Sequence, residues 1–325
     1  MSILGEGVNA VVWVSSGVGL VCCVAAVVVC LSVSVWDFVR SVRVLPPTPG
    51  CATIRARHRR GRNDMSTTVT NQQQFDAAVA SGVKGIVIDS PAGEPLRIDG
   101  SPNIAEIRGE SAIEYILGDA KIGHVGGNVS IGFVGGSVKI GAVNVTAAIG
   151  FLGGNAEIGE VRENAKIGEV GGNATIEYVG GDAKIVDVYG AARIECVYGK
   201  AEIGFARGRA STRFVGGNAT IESVGGNAKI KHVYGDATIG DVYADATIGG
   251  VRENAKSVDV YGDAKIECVY GNAEIGYVWE NAAIEYVGGI ATIGYVYGNA
   301  EIGEVYGDAK IGRVDPGATI GGVIR

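Results

Sequence analysis

The sequence predicts an all-β protein: a parallel β-solenoid of nonapeptide repeats with about 18 residues per coil and an N-terminal capping helix. Three observations carry that expectation. One nine-residue unit recurs without a slip of frame from Ile116 to Val323, a Gly followed by Asn or Asp returns once per unit, and proline is missing from 103 to 315. A chain with 53 glycines and seven prolines is far from an ordinary globular mixture.

Framed on valine, the nine slots read Val, Gly or Tyr, Gly, Asn or Asp, Ala, a polar residue, Ile, Gly or Glu, and a variable residue, as in VGGNATIEY from Val170 and VYGDAKIEC from Val260. Slots five and seven are two apart, so a strand points Ala and Ile to one face and the Lys, Glu or Thr between them to water. Gly before Asn or Asp suits a tight turn, because these residues tolerate positive φ. The missing prolines agree with a backbone whose N–H groups are committed to a ladder between coils.

Slots eight and nine set the coil length. One 18-residue phase reads Glu177-Tyr178, Glu195-Cys196, Arg213-Phe214, Lys231-His232, Glu267-Cys268 and Glu285-Tyr286. The alternate phase reads Gly168-Glu169, Val186-Asp187, Gly204-Phe205, Gly240-Asp241, Val258-Asp259 and Gly276-Tyr277. Charge then bulk on one face, against Gly or Val on the other, favours two units per coil over three. At ~4.8 Å between stacked strands, residues 98–325 then make about twelve and a half coils, on the order of 60 Å. The general bias of parallel crossovers predicts right-handed winding.

Ahead of the repeats, TNQQQFDAAVASG from Thr70 reads as a short amphipathic helix, with Thr70 and Gln73 at capping-box spacing, Phe75, Ala78 and Val79 as the apolar face and Gly82 as the stop. VKGIVIDS follows as a β-rich run, then a turn around Pro91, Gly93 and Pro95. Residues 65–97 thus form a cap and first strand, which would shield an open sheet end.

Residues 1–64 are different in kind. Thirty uncharged residues run between Glu6 and Asp37, more than the roughly 20 needed to cross a bilayer. Arg40, Arg43, Arg55, Arg57, Arg59, Arg60 and Arg62 follow the run, so a membrane anchor would leave the repeats in the cytoplasm. Three readings compete: a transmembrane anchor, a mis-assigned start upstream of Met65, and a signal or other segment, the last disfavoured by Glu6 and the absence of Lys or Arg before the apolar run. The expected location is cytoplasmic, membrane-anchored only if this segment is translated.

The formal charge of −7 divides unevenly, because residues 1–64 hold seven Arg against Glu6, Asp37 and Asp64, leaving 21 bases against 32 acids afterwards, or −11. Such a surface argues against nucleic acid as a partner. Cys196 and Cys268 share a slot but stand eight repeats apart, too far to bond to one another in a regular stack. No disulfide framework is implied, and a reducing compartment is permitted.

The nine-residue unit resembles the calcium-binding RTX β-rolls in period. Matching the glycine pairs at Gly171 puts Ala174 on the third RTX glycine and Ile176 on its calcium-ligating Asp, so the family's calcium binding does not carry over. The GNA-x-I core over 98–325 also resembles hexapeptide-type β-helices of bacteria and phages and, more loosely, the bactofilin cytoskeletal β-helices. The helix-then-strand start over 70–90 resembles that of pectate-lyase-like β-helices.

Several residues qualify as candidate sites. Tyr243, Tyr261, Trp279 and Tyr297 share slot two in four consecutive coils, a ladder that could bind a glycan or a protein, or simply stack over a turn edge. Glu177 with Glu195, Glu267 with Glu285, and Asp241 with Asp259 stack as acid pairs at the spacing of a retaining glycosidase, although a repeat produces such pairs without any cleft. His124 and His232 lie twelve repeats apart and cannot share a metal. The irregular copy ARGRASTRF from Ala206 gathers Arg207, Arg209 and Arg213 into a small basic patch, a docking spot for an acidic partner or plain drift. Outward Thr175, Thr220, Thr238, Thr247, Thr292 and Thr319 do not form the paired arrays of an ice-binding surface.

The sequence therefore predicts a non-enzymatic structural or interaction protein with no catalytic residue, no metal site and no cofactor. It is expected to form a homo-oligomer through its C-terminal coil, tail to tail, with a phage or cell-surface carbohydrate-binding protein as the rival reading.

Overall fold

The computed structural model describes residues 66–324. They form a parallel β-solenoid of about 14 coils, with about 18 residues per turn; Ile176 accordingly lies over Ile158 and under Ile194. Among the described residues, twenty-eight strands alternate between two sheets. Strand β1 (Thr68–Val69) and the even strands from β2 (Ile86–Ile88) to β28 (Thr319–Ile324) make a 15-stranded sheet, here sheet A; the odd strands from β3 (Leu96–Ile98) to β27 (Lys310–Val314) make the 13-stranded sheet B. Coiling begins before the first regular repeat, since β2 and β3 already form a coil; register shifts at Ile86/Val87 and Leu96/Arg97 join them to the regular stack.

The interior shows why the unit is nine residues long. In β12 (Thr175–Val179), Ile176 and Val179 are buried together with Ala174 just before the strand. Ala and Ile face inward as the alternation predicts, but Val is three residues beyond Ile, not two. Paired Cα positions accordingly skip Glu177. The strand bends there, so slots eight and nine both face out and slot one turns back in. Glycine in slot eight sits close against the coil before: a Cβ on Gly159 would meet the Gly141 carbonyl oxygen at 2.6 Å. Ala, Ile and Val columns pack at 0–4 % exposure through the inner coils, where each large aliphatic side chain contributes about 1.5–3 kcal/mol.

Turns are held by the same stacking. The slot-four N–H donates to the slot-three carbonyl of the coil before, as Asn173 does to Gly154 at 2.8 Å. Slot three takes positive φ, normally as Gly, but Val145, Glu163, Ala244, Glu253 and Glu280 adopt it too. The glutamates offset that strain: Glu163, Glu253 and Glu280 each accept at 2.9 Å from the backbone N–H one coil earlier, at Val145, Gly235 and Gly262. Val145 has no such bond from its own side chain, and a β-branched residue at φ 62° is strained. Slot-four amides form a further ladder, for example Asn299 to Asn281 at 3.3 Å and Asn281 to Asp263 at 3.1 Å.

Helix α1 (Gln72–Ala80) lies at the N-terminal end as the sequence predicts, with its cap one residue later. Asn71 is the N-cap and accepts from Gln74 N–H, while the Gln74 side chain accepts from Thr70 N–H at 2.9 Å, so the box closes one position beyond Thr70–Gln73. Phe75 and Ala78 are buried, whereas Val79 is 37 % exposed and falls outside the apolar face assigned to it. The Gln72 amide both accepts from Arg97 N–H and donates to Arg97 C=O, satisfying backbone groups on the β3 edge of sheet B. That contact blunts one open edge. No helix among the described residues is long and apolar enough to cross a membrane; the three readings of residues 1–64 lie outside the described residues.

Two polar residues interrupt the isoleucine column, Thr212 between Ile194 and Ile230, and Ser257 between Ile239 and Ile275. Ser257 Oγ is buried without a hydrogen-bond partner. Ser257→Ile is expected to stabilise the solenoid by about 1–3 kcal/mol, through apolar burial and removal of the orphan hydroxyl, read as a higher urea midpoint. Val145→Gly is expected to raise the midpoint as well, by about 1 kcal/mol, the reverse of the usual effect of glycine.

Candidate functional site

Side chains can gather only on the outer columns, because the interior is filled. The aromatic column in slot two follows sheet B. Tyr243, Tyr261, Trp279 and Tyr297 stack in sequence, with centroids 5.6, 4.8 and 6.0 Å apart and planes within 26°. Rings at those separations must overlap face to face or offset, since coplanar neighbours would collide. Their faces are therefore largely turned to one another, and edges line the outside. A second row, Tyr277 on Tyr295 at 5.2 Å, runs beside it in slot nine, with Tyr277 edge-on to Tyr297 at 6.4 Å.

Slot two is most often Gly or Tyr for a packing reason that the sequence alone does not disclose. Aromatic rings fold over the glycine of a neighbouring position: Phe151 over Gly153, Tyr178 over Gly180, Tyr243 over Gly225. A Cβ on Gly216 would sit 2.8 Å from Tyr198 Cε1 and 2.9 Å from Tyr234 Cε2. Aromatic knobs and glycine holes thus cover the turn edges. The signal was the Gly-or-Tyr choice itself, which needs the 18-residue neighbour to be interpreted.

Of the acid pairs, Asp241 and Asp259 are direct neighbours on β19 (Thr238–Val242) and β21 (Lys256–Val260). Asp259 Oδ1 is buried without a hydrogen-bond partner. Burial first, then the Asp241 charge, pushes the Asp259 carboxyl above its usual 3.8. Glu195 is engaged instead by Arg213, at 3.3 Å. Glu267 and Glu285 occupy one column of adjacent sheet A strands.

The basic patch drawn from residues 207–213 does not hold as one surface. Arg207, on the turn after sheet B, donates to Asp187 from Nε at 3.1 Å and lies over Tyr189; Arg213, on sheet A, pairs with Glu195 and covers Phe214. Two of the three charges are compensated on different sides of the coil. His124 lies 3.8 Å from Glu106, and His232 stacks on Phe214 at 5.6 Å, its pKa lowered chiefly by burial. No group of three potential metal ligands occurs among the described residues.

Two recesses stand out on the surface of the described residues. A shallow furrow of about 520 Å³ on sheet A has Gly123, Gly141 and Gly159 as floor, Lys121, Lys139 and Glu157 along one side, and Glu177 at its end. A smaller one, about 260 Å³, lies between Tyr295, Tyr297, Arg313 and Asp315, where both aromatic rows stop.

The raised Asp259 pKa has a signed consequence. A group whose folded pKa exceeds its unfolded one favours the fold when protonated, so this contribution is complete below pH 3.8 and is lost as pH climbs through the folded value. Asp241→Asn and Asp259→Asn are each expected to raise Tm at pH 7 and to leave it little changed near pH 3. Gly216→Val is expected to cost about 1–3 kcal/mol by forcing Tyr198 and Tyr234 apart, measured as a loss of urea midpoint.

Comparison with protein-family models, with curated proteins and with solved structures finds no match for this chain.

Proposed function

We propose that the chain is a non-enzymatic structural protein, a rigid solenoid that spaces or presents partners and associates with itself through its C-terminal coil. One observation carries the reading. The inner Ile and Val columns are 0–4 % exposed, yet in the last described coil Val314, Val323 and Ile324 are 38, 62 and 49 % exposed, and Ile311 and Ile320 are only partly covered. Strands β27 and β28 also end their sheets. Unpaired strand edges around open core favour pairing with a like surface. α1 occupies the opposite end, so a tail-to-tail pair closes where a filament would need both ends. The cytoplasmic location and the likeness to bactofilin-style scaffolds belong to this same reading.

A second reading, carbohydrate binding, is favoured only by the recess at Tyr295 and Tyr297. There ring faces end beside the Arg313–Asp315 ion pair, and such a platform with flanking polar groups suits a sugar ring. The strip at Tyr243, Tyr261 and Trp279 offers mainly edges.

Sedimentation velocity at micromolar concentration separates these readings. The wild type is expected to sediment as an oligomer and Val323→Asp as a species of smaller mass; a wild-type monomer that binds a glycan array through Tyr295 would select the second reading.

A further inference from the structure

Apolar side chains exposed along the strands are not shared evenly between the sheets. Phe133, Val186, Phe205, Val258, Tyr277 and Tyr295, each 38–59 % exposed, all project from sheet B, whereas Tyr286 is their counterpart on sheet A before the final coil. Slot eight reinforces the contrast. In the central coils sheet A carries Glu177, Glu195, Arg213, Lys231, Glu267 and Glu285 there, interrupted by Gly249, and sheet B carries Val186, Gly204, Glu222, Gly240, Val258 and Gly276. Slot eight of sheet B is thus Gly or Val at every one of these positions but Glu222, over the stretch where sheet A is charged there, although Lys184, Glu202, Lys256 and Glu274 in slot six and Asp187, Asp241 and Asp259 in slot nine keep charge beside it. Exposed apolar patches of this kind mark interaction surfaces.

The patches also recur. Val186 lies beside the Asp187–Phe205 pair, and Val258 lies beside the Asp259–Tyr277 pair four coils later. The segments 184–205 and 256–277 are identical at 17 of 22 positions, so the later one repeats the earlier at that interval. The spacing is about 19 Å at ~4.8 Å per coil. An ion pair flanks each patch, Lys184–Glu202 and Lys256–Glu274. A partner must carry two apolar patches at that same interval to engage both, and a second copy of this chain does so by construction.

We propose that the outer face of sheet B pairs with the same face of a second copy, apolar patch on apolar patch. The area suffices. Thirteen strands of mostly five residues give a face of about 60 by 17 Å, or on the order of 1,000 Å² per partner, against the ~800 Å² of a standard interface. Whether the rods run parallel or antiparallel, matching the patches brings Glu222, midway between them and exposed, close to its own copy. That repulsion limits the strength of the pair and gives it a signature. This contact is lateral and independent of the terminal one.

The test is made in the Val323→Asp background, so that the tail contact does not contribute. Sedimentation velocity is expected to show a dimer there and a monomer when Val186→Glu and Val258→Glu are added, with an unchanged far-ultraviolet circular dichroism spectrum, since both valines are exposed and the strands keep their fold. Glu222→Gln is expected to tighten the dimer on the order of fivefold by removing the like-charge contact. An unchanged mass in the variant carrying both glutamates, or a dissociation constant unaffected by Glu222→Gln, would each overturn the proposal. So would a wild-type oligomer that Val323→Asp reduces directly to monomer, a result that leaves the tail contact standing alone.

Discussion

Every regular coil hydrogen-bonds to the coil before it at the same register, and that ladder is the constraint on which the rest depends. The N–H of slots two, four and six donates to the carbonyl of slots one, three and five one coil earlier, as Gly171 to Leu152, Asn173 to Gly154 and Thr175 to Ala156 show. One inserted residue would shift these donors from their acceptors and turn inward side chains outward. The unbroken frame and the absence of proline from 103 to 315 follow from that single requirement.

Once the ladder is fixed, the chemistry of each column is shared by all its members. Inward, the result is a continuous aliphatic core in which an intruder such as Ser257 has no polar neighbour to satisfy it. Outward, identical residues stack on one another, and the outcome depends on type. Amides gain from stacking, since each donates to the one a coil before; aromatic rings gain from overlap; carboxylates lose, since the Asp241 charge adds to the burial that raises the Asp259 pKa. Exposed Lys–Glu pairs such as Lys139–Glu157 relieve repulsion while adding little stability of their own.

This uniformity bears on function. A column repeats one group along an open face. The places where the repeat departs from itself are the more informative: the N-terminal end covered by α1, the exposed core of the last described coil, and the division of charge between the two sheets. Each sets one part of the surface apart from the rest.

The sequence by itself determined the period, the coil length, the turn chemistry, the helix and the inward role of Ala and Ile, because each is local or repeats often enough to average out exceptions. It also identified which residues share a column, including the Tyr243 to Tyr297 ladder. Only the tertiary structure decided that Val is the third inward position, since the bend at slot eight breaks simple alternation. The stack likewise decided that Gly and Tyr in slot two are partners across coils, that glutamate at positive φ is tied to the preceding turn, and that Arg207 and Arg213 part to opposite sides. Each of these depends on a neighbour at least one full coil away, or on a change of direction within the strand, and a linear pattern carries neither distance nor direction.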